Sequence, residues 1–374
     1  MAKKTNCCAQ KDQTRLNKVG GQAVIEGVMM KAGERTVTTC RKEDKSLVVY
    51  DDKFVSIRKK LKFLNIPLLR GFVNFIEMMK LSMKTLSNSA DALGIEEEES
   101  RFEKWLKKHL GFGIVAVIMT ISVVLAVALA LGLFMFLPIF VSGLIDTYAF
   151  DGALGIWWSS AIEGVMKITI FVLYLWGVSL IPDIKRTFMY HGAEHKSIAC
   201  FESGTELSPE NAKNYTRFHP RCGTSFMFVM ILIGIFAGVF VRGIWPGLTR
   251  LEYGAIRLLM LPLVMGVGYE FIMFAGKHDN FVTRALSAPG LWMQKITTKE
   301  PTEDMLEVAI ISIKCALRDD FPEFKEFYEA KSWEKKEEVT QPDSQEAESV
   351  SQADESVKAE ESSKSDENEA IEGN

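Results

Sequence analysis

Between Gly111 and Ile145 the chain runs 35 residues without a charged side chain. A helix needs roughly 20 apolar residues to cross a bilayer core, so this run is long enough to span with some tilt. Pro138 lies inside it and is expected to mark a kink or its end. Such a run is not the pattern of a wholly soluble protein. The rest of the composition agrees: mean hydropathy is slightly positive, and Phe outnumbers Tyr 24 to 8. The six cysteines, Cys7, Cys8, Cys40, Cys200, Cys222 and Cys315, have no framework spacing, which argues against a disulfide-stapled secreted domain. The first fifteen residues contain no apolar segment of the kind a secretory signal requires.

Three further segments read as spans. Cys222–Val241 carries no charge, Ala161–Pro182 contains Glu163 and Lys167 at i,i+4 spacing, and Leu258–Gly276 is interrupted only by Glu270. The fold class expected is mainly α: a multi-pass α-helical membrane protein with about four spans and a small cytoplasmic β-containing N-terminal module. Arg101, Lys104, Lys107 and Lys108 precede the first span, and the 146–160 connection has no base. Lys185, Arg186, Lys196, Lys213, Arg217 and Arg221 populate the 183–221 loop, and further bases follow the fourth span. Basic residues gather on the cytoplasmic side of a membrane. Both termini and the 183–221 loop are therefore expected inside, at the cell membrane. Arg242, Arg250 and Arg257 run against this rule, unless Arg242 and Arg257 pair with buried carboxylates.

The remaining organisation follows from local pattern. Residues 1–18 read as a flexible arm and 19–60 as a short β module. In the module QAVIEGVMM, RTVTTCR and SLVVYDD are strand-like and separated by turn-like AGE and EDK. Gly20-Gly21 reads as a turn signal, and Glu26 as a solvent-facing strand carboxylate. Residues 61–110 read as amphipathic or interfacial helices. Over 66–93 Arg70, Asn74, Glu77, Lys80 and Lys84 form one narrow polar stripe, the pattern of a helix lying on a membrane or packed on the bundle. Acids at 96–99 and bases at 104–108 suit the two ends of a further helix. The transmembrane region is expected over 111–276, and a cytoplasmic helical segment over 277–333, with Ala288-Pro289-Gly290 as a turn and a helix over 303–317. Residues 334–374 read as a disordered acidic tail. From Glu337 on there are 13 acids and two bases, so the tail carries −11 and the rest of the chain +7.

The residues that carry chemistry stand between the second and third spans. His191, Glu194 and His195 form HGAEH, and His219 and Cys222 follow in HPRC. On a helix, histidines four apart share a face and can reach one metal, while the adjacent Glu can accept a proton from water. This is the H-x-x-E-H order, the inverse of the common zinc-protease motif. A catalytic zinc site uses three protein ligands plus water, and three candidates stand for the third: His219, Cys222 and Glu270. The bland readings are solvated loop histidines near lipid headgroups and, for Glu270, an ion pair with Arg257 or Lys167. His278-Asp279 and Cys7-Cys8 read as interfacial and arm residues rather than ligands. There is no Walker loop and no G-x-G-x-x-G after a strand.

Several of these motifs together resemble a known family. GGQAVIEGVMMK at 20–31, PLLRG at 67–71, HGAEHK at 191–196, HPRCGTSF at 219–226 and PGLWMQKITTKEP at 289–301 are similar to the YqhQ-like bacterial membrane proteins, domain-of-unknown-function family 1385. The likeness runs from about Val19 to Leu317. It implies a multi-pass membrane protein described as a predicted metal-dependent enzyme without an established substrate, and it singles out His191, Glu194, His195, His219 and Cys222.

The expectation is an integral membrane protein with a metal-dependent, hydrolase-type activity at the cytosolic membrane face. A divalent metal, Zn²⁺ by preference, would be held by His191 and His195 with His219, Glu270 or Cys222, and Glu194 would be the general base. Bound zinc would bring the pKa of its water to about 7. The alternatives are a non-catalytic membrane scaffold or assembly factor with a structural polar cluster, and a small transporter using Glu163 and Glu270. The partners expected are the lipid bilayer and a substrate not specified by the sequence, with no nucleic acid.

Overall fold

The computed structural model describes residues 14–94, 112–275 and 281–324. The expected helix over 96–108, Cys7-Cys8, His278-Asp279 and the acidic tail lie outside the described residues. Elsewhere the chain is mainly helical, with one small sheet near its N-terminus.

Four strands form an antiparallel meander in the order β1 to β4: Val19–Val24, Gly27–Ala32, Arg35–Arg41 and Leu47–Lys53. QAVIEGVMM is thus not one strand. Val24 pairs with Gly27, and Ile25-Glu26 form a two-residue turn. Glu26 takes a φ of 50°, in the left-handed region, and so stands at a turn tip rather than on a strand face. Gly27 is needed beside it, because a Cβ there would lie 2.4 Å from the Thr39 carbonyl oxygen. Gly20-Gly21, expected as a turn, lies within β1.

Both faces of the sheet are covered, so its strands lack the in–out polarity of an exposed sheet. On one face Val24, Met29 and Cys40 pack against Leu81 and Ala92 of helix α2, Leu69–Ala92. The other face meets helix α12, Glu303–Ala316, and helix α6, Pro182–Glu202. Ser312 in α12 donates to the Val28 carbonyl at 2.8 Å and ties that face together. A short helix α1, Ile57–Lys60, connects β4 to α2.

Helix α3, Phe112–Leu131, continues through a π-helical turn at Gly132–Phe136 into α4, Leu137–Ala149. The distortion sits just before Pro138, which has no N–H to donate into the turn behind it. Helix α5 runs Ile156–Val178 and helix α8 Gly223–Ile244, with a short α7, Pro209–Ala212, between α6 and α8. Among the described residues, Ile121–Ala149, α5 and α8 are each long and apolar enough to cross a membrane. The fourth expected span, 258–276, is mostly α10, Leu261–Ala275, which a bend of 49° joins to α9, Arg250–Leu259, just before it. Thr249 and Glu252 form a capping box that starts α9. Helix α11 is Phe281–Thr297.

Two loops expected from the sequence are helical. Most of the first half of the 183–221 segment is α6. Pro182 begins it, and Gly204, at a φ of 77°, lies just past its end. Ala288-Pro289-Gly290 lies inside α11, because Gly290 packs onto the start of α8: a Cβ there would sit 2.8 Å from Ser225 Cα. Helix α2 packs against α10 through Gly71 and Gly266, while Ile76, Met79, Met83 and Leu86 form an exposed apolar stripe. The helix thus packs on α10 along one side and leaves an apolar stripe exposed on another.

Candidate metal centre

Helix α6 carries HGAEH. At 100° per residue His191 and His195 stand about 40° apart on its surface and Glu194 about 60° to the other side of His191. The two rings face the same way, with centroids 4.4 Å apart. Cys222 caps the N-terminus of α8 and presents its thiol to them. His191 Nε2 and Cys222 Sγ are 3.2 Å apart. One ligand atom each from His191, His195 and Cys222 can be chosen so that all lie within 4.8 Å of one another.

The far side of each ring is held by the backbone. His191 Nδ1 lies 2.8 Å from the Thr297 carbonyl oxygen, and His195 Nδ1 lies 2.5 Å from that of Arg217. A carbonyl can only accept, so each Nδ1 carries the hydrogen and each Nε2 of the neutral ring keeps a free lone pair. Metal-ligating histidines are commonly fixed in this way. The neighbouring residues make it possible. Gly192 lets the 297–301 segment lie on α6, since a Cβ there would meet the Lys299 carbonyl oxygen at 2.0 Å. Lys299 N–H also donates to the Phe188 carbonyl at 2.8 Å.

One donor separation can be set against that of a zinc site. Zn–N is about 2.0–2.1 Å and Zn–S about 2.3 Å. Tetrahedral geometry then separates N and S by about 3.5 Å, close to the 3.2 Å observed. Two imidazoles and a thiolate are a donor set of the kind Zn²⁺ takes, one short of its usual four.

Glu194 faces the sheet. It is 5% exposed and has no hydrogen-bond partner among the described residues. Gly21 leaves it room: a Cβ there would lie 2.9 Å from Glu194 Oε1 and 2.7 Å from Met30 Sδ, so one of these side chains would have to shift. Burial pushes its pKa up to about 7, against the pull of His191. A carboxyl poised there can give or take a proton near neutral pH.

His219 and Glu270 stand apart from the trio. The His219 ring is 5.5 Å from that of His195, but its Nε2 faces Arg221, at 3.4 Å, and Glu202, at 3.9 Å. Burial pushes His219 down to about 4. Burial raises Glu202, but the His219 contact and the Arg221 guanidinium outweigh it and hold the carboxyl at about 2. Gln294 fixes the His219 backbone by accepting from its N–H at 2.8 Å and donating to its carbonyl at 2.7 Å. Glu270 is paired with Arg70 through two hydrogen bonds, one of 2.6 Å from Nε. Neither Arg257 nor Lys167 is its partner; both bind Glu163.

Sequence reasoning missed the supporting groups: the Thr297 and Arg217 carbonyls, Gln294, Gly21 and Glu202. The carbonyls carry no side-chain signal. Gly21 and Gln294 lie in the motifs GGQAVIEGVMMK and PGLWMQKITTKEP, which marked them without assigning a task. Glu26, at its turn tip, accepts from Arg186 and from Tyr190 Oη at 3.2 Å, joining the β1–β2 hairpin to α6.

The family described as "Protein of unknown function (DUF1385)" matches residues 66–319. The uncharacterized protein YqhQ of Bacillus subtilis (strain 168) is 34% identical over 306 residues, which cover 80% of this chain and 92% of that protein. No solved structure matches.

Proposed function

Because the chain belongs to the DUF1385 family, whose description assigns no activity, we propose a function from its own residues. The protein is a multi-pass integral membrane protein, with a divalent transition-metal site at the cytosolic membrane face and a hydrolase-type activity. His191 Nε2, His195 Nε2 and Cys222 Sγ hold the metal, Zn²⁺ by preference. Glu194 is the general base. A metal held there supplies Lewis acidity to a water or to a substrate oxygen.

The observation that carries this reading is the locked pair of imidazoles. Each ring gives its Nδ1 hydrogen to a backbone carbonyl, and their outer faces converge on one thiol. Glu194 supports the hydrolytic part, being buried, unpaired among the described residues and near neutrality in pKa. Exposed tryptophans support the membrane part. Trp157 and Trp158 begin α5 and Trp176 lies near its end. They are about 27 Å apart along the axis, the separation of two interfacial aromatic belts. The bases of the 183–221 segment support a cytosolic position for this face and for both termini.

Metal analysis of the purified protein, together with complementation of a deletion strain, tests the proposal. About one metal per chain is expected for wild type and for Glu194→Gln, with complementation lost in Glu194→Gln. His191→Ala and His195→Ala should lose both. The competing reading is a scaffold in which Cys222, hydrogen-bonded to His191 and 3.3 Å from Thr224 Oγ1, only satisfies buried polar groups. Full complementation by both histidine variants would establish that reading instead.

A further inference from the structure

The apolar helices hold a second polar cluster, at the other end of α8 from the metal centre. Cys222 and Arg242 are 20 residues apart on that helix, about 30 Å at 1.5 Å per residue. Helix α5 contributes Glu163 and Lys167, α8 contributes Arg242, and α9 contributes Tyr253 and Arg257. Glu163 is 2% exposed, and Lys167 and Arg257 are 8% exposed.

Three cations thus converge on one carboxylate. Glu163 Oε1 accepts from Lys167 Nζ at 2.5 Å and from Arg257; Oε2 accepts from Arg242 at 3.2 Å and from Tyr253 Oη at 3.3 Å. Four donors saturate it. The other guanidinium contacts go to neutral oxygens. Arg257 donates to the Gly234 carbonyl at 2.6 Å, and Arg242 to Ser159 Oγ at 2.8 Å. Those bonds satisfy hydrogens but not charge. Among the described residues, Glu163 is the carboxylate that pairs with each of the three cations, so the cluster carries a formal excess of +2.

An excess charge of that kind is expensive in an apolar setting. Arginine does not shed its proton, so the remedy is a counter-anion. Guanidinium forks match phosphate oxygens, and Lys167 has ammonium hydrogens to spare beyond its bond to Glu163. Arg242 opens the cluster outward: its side chain is 19% exposed and lies in the last turn of α8, the depth at which headgroups meet a span. We infer that the Lys167–Arg242–Arg257 cluster is a binding site for a phosphate-class anion, reached past Arg242, with Glu163 holding the three cations in place. The inference stands on residues that the metal reading does not use.

The full-length protein in neutral detergent serves for the test. Its thermal unfolding is followed with added inorganic phosphate, phosphatidylglycerol or phosphatidylcholine, at ionic strength matched with sodium chloride. Stabilisation by phosphate identifies a free anion, and stabilisation by phosphatidylglycerol alone identifies a headgroup; either supports the site. Arg242→Gln and Lys167→Met should weaken the apparent affinity roughly tenfold, whereas Arg250→Gln, at an exposed arginine bonded to Gly143 and Thr147, should leave it unchanged. If the first two fail to fold, native mass spectrometry of wild type decides: retention of phosphate or of an anionic phospholipid supports the site. No stabilisation by any additive beyond the salt control, or equal stabilisation by phosphatidylcholine, would overturn it.

Discussion

His191 and His195 were legible as a pair because four residues on a helix is a fixed angular step, whatever the surrounding fold. Their third companion was legible only as one of three candidates. Cys222 lies 31 residues from His191, and no spacing rule links a helix face to the N-cap of another helix. Glu270 drew attention as a charge among apolar residues, but its partner, Arg70, lies 200 positions earlier. Gly192 allows a sharp residue-scale prediction. In Gly192→Ala the new methyl must displace the Lys299 carbonyl, and with it the segment whose Thr297 oxygen orients His191. Overpacking of this kind costs about 1–3 kcal/mol. Thermal unfolding should show that loss, and Co²⁺ titration should show weaker binding. Unchanged values for both would mean that the 297–301 segment does not orient His191.

At the scale of elements, apolar runs predicted α5, α8 and the long first helix, because length and hydropathy alone specify them. The errors cluster at glycine, proline and turns. Ala288-Pro289-Gly290 stays helical because Gly290 allows α11 to touch α8, a contact that no local rule reports. QAVIEGVMM hides a hairpin, because its turn uses Ile25 and Glu26 rather than the usual Asn-Gly or Asp-Gly. The Arg70–Glu270 pair links the first turn of α2 to α10 just beyond Leu68, a bulky residue held at a φ of 70°. The two side chains are 34% and 27% exposed, so Glu270→Ala should cost on the order of 1 kcal/mol. That variant should keep its full metal content. Loss of metal from Glu270→Ala would put Glu270 back among the ligands.

For the whole molecule, α8 has a polar cluster at each end: His191, His195 and Cys222 near its start and the three cations around Glu163 near Arg242. The β sheet packs on α6, which carries two of the trio, and is held between α2 on one face and α6 with α12 on the other. This arrangement requires the 203–221 segment and the α4–α5 connection to face opposite sides of the membrane. A cysteine at the exposed Glu206 should resist a membrane-impermeant maleimide in intact cells, and one at the exposed Ala153 should react. The reverse pattern would invert the topology.

The central claim is that two imidazoles and one thiolate bind a single metal, and Co²⁺ loading reads it most directly, because a sulfur ligand adds a charge-transfer band to the cobalt spectrum. Wild-type protein should take up about one Co²⁺ per chain and show that band, and Cys222→Ser should lose the band and bind far more weakly. His219→Ala should keep it. A wild-type protein that binds no Co²⁺, or a band that survives in Cys222→Ser, would contradict the account.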